Sequence, residues 1–86
     1  MLPTLEAARA RVASGDVVGG RKLLAQLASS GDAPAMFLLA ETYDPNILAA
    51  WAMQGVAADV GKARLFYAMA LSQGLEMARG RLSALD

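Results

Sequence analysis

Few side chains in this sequence are equipped for chemistry. It contains no His and no Cys, so imidazole catalysis, thiolate nucleophiles and soft metal sites are out of reach. A reaction would have to be run by carboxylates, Lys, Ser or Tyr. Asp16, Asp32 and Asp59 each precede an apolar-periodic run, where a carboxylate accepts the orphan N–H groups of a first helical turn. Each is expected to be an N-cap. Glu41 and Asp44 stand three apart at a helix end and can offer a carboxylate pair to a cation, or act as acid and base. No third ligand accompanies them, so a solvated helix face is the expected setting. Lys62 falls in the first turn after Asp59, a structural position rather than that of an activated amine. Gly19-Gly20-Arg21-Lys22 has the composition of a phosphate loop but neither its spacing nor a preceding strand, and packing at a helix start accounts for it better. Ser29, Ser30 and Ser72 lie at helix ends, with no base to activate them. Met1, Met36, Met53, Met69 and Met77 can form an adaptable binding surface, though filling gaps in a small core is the expected role. No catalytic residue, cofactor or metal is expected.

The elements that position these groups are helices. Residues 4–14, 17–30, 33–43, 59–73 and 76–84 read as helical, with room for one more short turn or helix between Asn46 and Met53. Gly15, Gly31 and Gly74 close three of the runs, Pro34 falls in a first turn, and Pro45 stops the third helix after Asp44. Ala35, Met36, Leu39, Ala40 and Tyr43 form a stripe at helical spacing, and Ala63, Phe66, Tyr67 and Ala70 form a second. Two such helices joined by a short connection pack antiparallel. No segment has the alternation or β-branched content of a strand.

With 86 residues the chain is read as one domain, 1–86. Hydrophobic residues make up 56% but aromatics only 6%, a composition suited to closely packed helices. Eight basic residues balance eight acidic ones and are scattered in pairs, so neither a nucleic acid nor an anionic membrane is an expected partner. The opening residues lack the charge and apolar core of a signal peptide, and no stretch is apolar enough to span a bilayer. A soluble chain is expected, its compartment unknown, which leaves room for its being a fragment of a longer exported or anchored protein.

A shift of 43 residues aligns Asp16-Val17 with Asp59-Val60, Arg21 with Arg64, Ala25 with Ala68, Ser29 with Ser72, Gly31 with Gly74, Ala35 with Ala78 and Leu39 with Leu82. A period near 40 in an all-helical chain points to a stack of helical hairpins. Ala35-x3-Leu39-Ala40-x2-Tyr43 then resembles the first helix of the Sel-one-like repeat, a relative of the tetratricopeptide repeat, with Ala40 where that family prefers Gly. Gly55-Val56-x2-Asp59-x2-Lys62-Ala63-x2-Phe66-Tyr67-x2-Ala70-x3-Gly74 resembles its loop and second helix, with Phe66-Tyr67 at the family's Trp-Tyr pair. One complete unit, 33–74, is flanked by partial ones. The resemblance implies an all-α, right-handed α-solenoid fragment of antiparallel helical hairpins, about two repeats long, serving as a protein–protein interaction scaffold. The alternative is a structural or regulatory domain of a larger bacterial-type envelope protein, without its own dissociable partner.

Between Tyr43 and Gly55 the chain departs from the family pattern by an insertion holding Ile47, Leu48, Trp51 and Met53. These are the candidate protein-binding residues, with the sole Trp as anchor. Two settings stay open for Trp51: an interface anchor, or a plug in the chain's own core. A homo-oligomer is also expected, because Leu75, Met77, Ala78, Leu82 and Leu85 of the last helix have nothing after them to pack against.

Overall fold

Side-chain caps and glycine stops cut the chain into its elements. A computed structural model describes residues 4–86; Met1, Leu2 and Pro3, and with them Met1 of the methionine set and the start of the opening segment, lie outside the described residues. Six helices and no strand occur among them: α1 (Leu5–Ala13), α2 (Val17–Ser29), α3 (Ala33–Tyr43), α4 (Pro45–Ala50), α5 (Val60–Ser72) and α6 (Met77–Ala84). Asp16, Asp32 and Asp59 are N-caps as expected, their carboxylates accepting from the backbone N–H of Gly19, Ala35 and Lys62. The short helix α4 occupies most of the insertion, and its N-cap is Asp44, which also ends α3. No helix among the described residues is long and apolar enough to cross a membrane.

Three helix ends share one stop. Gly15, Gly31 and Gly74 take φ of 94°, 95° and 95°. The next N–H donates back five residues: Asp16 to Arg11, Asp32 to Leu27 and Leu75 to Ala70. At the end of α4 the Met53 N–H donates to Leu48 in the same way, but the residue held at positive φ, 56°, is Ala52. A Cβ there costs about 1–2 kcal/mol, partly offset by the greater freedom glycine has when unfolded. Ala52→Gly is therefore expected to stabilise the protein by about 0.5–1 kcal/mol in a denaturant melt.

A spacing of 43 residues relates two of the helices and one of their contacts. Moving the bounds of α2 by 43 residues gives those of α5. A long-range contact repeats with them: Arg21 donates to the Thr42 carbonyl at the end of α3, and Arg64, 43 residues on, donates to the Leu85 carbonyl at the end of α6. Arg21 also donates to the Ala57 carbonyl of the α4–α5 connection and lies 3.9 Å above the Tyr43 ring. Asp86 stands one period after Tyr43 and pairs with Arg64 at 3.1 Å. Arg21 thus fastens α2 to the end of α3, and Arg64 fastens α5 to the end of α6.

Packing runs in chain order, with α1 on α2, α2 on α3, α3 on α5 and α5 on α6. Helix α3 is the centre. Its residues from Ala35 to Ala40 are all buried, because neighbours flank it on more than the one stripe the sequence marks. Gly20 lets α2 approach α1: a Cβ built on it would come within 2.6 Å of Val12 Cγ2 and 3.4 Å of the Ala8 carbonyl oxygen. Tyr67 fills the space between α5 and α3, wholly buried, its ring 5.4 Å from that of Phe37.

Candidate functional groove

The second stripe of α3 is where the surface opens. Pro34, Phe37, Leu38 and Glu41 lie at spacings of three and four residues, so they share one helical face. Two depressions, of about 520 and 370 Å³, lie along this face and share Arg9, Leu38 and Glu41. The first is bounded by Val12 and Ala13 of α1 and by Trp51 and Met53. The second is bounded by Phe37 and Pro34 of α3 and by Leu75, Met77 and Arg81 at α6. Together they make one groove crossing α1, α3 and α6.

Charged groups punctuate this apolar surface. Arg81 of α6 donates to the Glu41 carboxylate at 2.8 Å, and its guanidinium lies 5.1 Å from the centre of the Phe37 ring. Glu41 and Asp44 do not form the solvated face expected of them. The Glu41 side chain is only 13% exposed and is committed to Arg81. Asp44 is buried, with one carboxylate oxygen capping α4 at the Asn46 N–H and the other accepting from the Tyr67 hydroxyl at 2.7 Å. The physical reasons differ: Asp44 is buried because the chain turns straight from α3 into α4, and Glu41 because Arg81 of α6 lies against it. Burial, and then the hydrogen bond to Asp44, push the Tyr67 phenol well above its ordinary value, so it remains a donor.

Burial also lifts Glu41 above its ordinary 4.5, and the attraction of Arg81 only partly opposes this. A carboxyl raised on folding binds more protons in the native than in the unfolded state just above pH 4.5, so its linkage makes stability rise as pH falls from neutral towards that value. Denaturant midpoints measured across this window should show the gain, and Glu41→Gln should remove it.

The four candidate residues of the insertion divide. Leu48 is buried and holds α4 to the body, while Ile47 is half-buried and lies outside the groove lining. Trp51 and Met53 line the groove, and Trp51, at the C-cap of α4, is 36% exposed and stands outside the main core cluster. The methionines also divide: Met36 and Met69 pack in the core, and Met53 and Met77 border the groove. The uncovered apolar face expected on the last helix is largely absent. Ala78 is fully buried, and Leu75, Leu82 and Leu85 pack on the core, because α6 turns back onto α5; only Met77, 60% exposed, faces out.

Sequence reasoning missed Arg9, Phe37 and Arg81. The signal for Phe37 was the unbroken Met36-Phe37-Leu38-Leu39, which one buried face cannot account for. Arg9 and Arg81 carried none, being indistinguishable from solvated arginines until the helices are placed. Compared with protein-family models, with curated proteins and with solved structures, the chain matches none.

Proposed function

We propose that this chain is a non-catalytic protein-binding module that holds a segment of a partner in the groove across α1, α3 and α6. In this reading its hairpins form a right-handed solenoid of about two tetratricopeptide-like repeats, the architecture implied by the resemblance to Sel-one-like repeats. The observation that carries the proposal is the groove itself: an apolar channel with the protein's sole Trp, partly exposed, on its wall. Trp is among the residues most enriched at binding hot spots, and a concave apolar surface with a few placed charges is the usual form of a recognition site. The carboxyl groups nearest the groove support a binding role over a catalytic one. Asp44 and Glu41 are both engaged in bonds that join helices.

Short peptides displayed as a random library and selected on the purified protein provide the test. Trp51→Ala is expected to weaken the selected peptides about tenfold or more, equivalent to ~1.4 kcal/mol. Its melting midpoint should fall far less than that of a core substitution such as Leu39→Ala. Selected peptides that bind the Trp51→Ala protein as well as the parent would refute the proposal.

A further inference from the structure

The groove's charges allow its occupant to be specified more closely, and this step rests on the binding reading above. Arg9 borders both depressions, is exposed, and has no ion-pair partner among the described residues. The one carboxylate of the lining, Glu41, is occupied by a single guanidinium nitrogen of Arg81, and Arg81 keeps about a third of its side chain exposed. An incoming ammonium group would meet a carboxylate already paired and two guanidinium groups beside it. An incoming carboxylate would meet two guanidinium groups, Arg9 and Arg81, against the single carboxylate of Glu41, and of the two Arg9 has no ion pair of its own among the described residues.

The apolar surfaces lie on either side of this charge. Trp51 and Met53 border one depression, Phe37, Leu75 and Met77 the other, and Arg9 is common to both. From Pro34 to Glu41 the floor runs along two turns of α3, about 10 Å at 1.5 Å per residue. That length suits a short segment with an apolar side chain near each end and one polar group between.

We propose that the groove selects an acidic, amphipathic segment of a partner protein, seating an apolar side chain in each depression and a carboxylate on Arg9. Buried apolar contact supplies affinity, and the Arg9 pair sets register and excludes basic segments.

The displayed library distinguishes this proposal from the reading beneath it. Peptides that depend on Trp51 should carry Asp or Glu between apolar residues. A synthetic copy of one should lose about tenfold in affinity on Arg9→Glu, and should recover when its own acidic residue is exchanged for Lys. Arg9 is exposed, so thermal melts should show the Arg9→Glu protein folded. Peptides that need Trp51 but bind the Arg9→Glu protein undiminished would overturn the charge assignment and leave the groove reading standing. A library yielding no Trp51-dependent peptide would overturn both.

Discussion

Tyr67→Ala is expected to destabilise the protein by about 3–5 kcal/mol, the largest effect of any single truncation considered for it. The side chain is wholly buried at the contact of α5 with α3. Its removal leaves a cavity that two helices fixed at both ends cannot close. The hydroxyl adds a separate contribution, because it is the donor to the buried Asp44 carboxyl at 2.7 Å. Tyr67→Phe keeps the packing against Phe37 and should still lose about 1–3 kcal/mol, the effect of leaving a buried acceptor without its partner. Against a total stability expected to be about 5–15 kcal/mol, the alanine variant loses a large part of the reserve. Urea melts of both variants separate the cavity from the hydrogen bond. Losses below about 0.5 kcal/mol for both would contradict the packing of α5 on α3 through Tyr67.

The second large effect comes from one substitution made at two glycines. Gly20 and Gly80 are each the fourth residue of a helix, α2 and α6. By intrinsic propensity, Leu should stabilise both positions by about 0.5–1 kcal/mol. At Gly80 a Cβ would meet nothing within 4 Å, so Gly80→Leu should realise most of that gain. At Gly20 even the Cβ has no room, since Val12 Cγ2 lies 2.6 Å away on a buried, β-branched side chain with little rotameric freedom. Gly20→Leu must push α1 off α2 and is expected to cost about 3 kcal/mol, at the upper end of ordinary overpacking. Opposite signs for the two variants in the same melt are the expected result. A stabilised Gly20→Leu protein would mean that α1 does not lie on α2 as described.

These two sites mark how far the fold could be read from the sequence. Caps and stops were legible because they act within one turn: Asp16, Asp32, Asp59 and the three glycines that follow helices need only local chemistry, and the helix bounds follow within a residue or so. The 43-residue spacing seen in the sequence also relates the bounds of α2 and α5 and the contacts of Arg21 and Arg64. Asp44 was not legible as a buried group. Its own sequence marks it as a helix stop before Pro45, and only the return of α5 brings the Tyr67 hydroxyl to it.

The groove was half legible. Trp51 and Met53 stood out as apolar residues in an insertion, but the same rule included Leu48, which the chain buries for itself. Hydrophobicity alone does not tell an anchor that holds a segment down from one that faces outward. Arg9, Glu41 and Arg81 come from three helices and gain meaning only when α1, α3 and α6 are brought side by side.

The fluorescence of Trp51 reports on occupation of the groove without any label, because it is the only Trp and stands on the groove wall. In the free protein its emission should be accessible to a soluble quencher, in keeping with a residue about one-third exposed. Titration with a Trp-free peptide selected on the purified protein should shift the emission to shorter wavelength and protect it from the quencher, saturating at the concentration where binding saturates. Binding that leaves both the emission and its quenching unchanged would place the partner elsewhere on the surface and rule out the groove as its site.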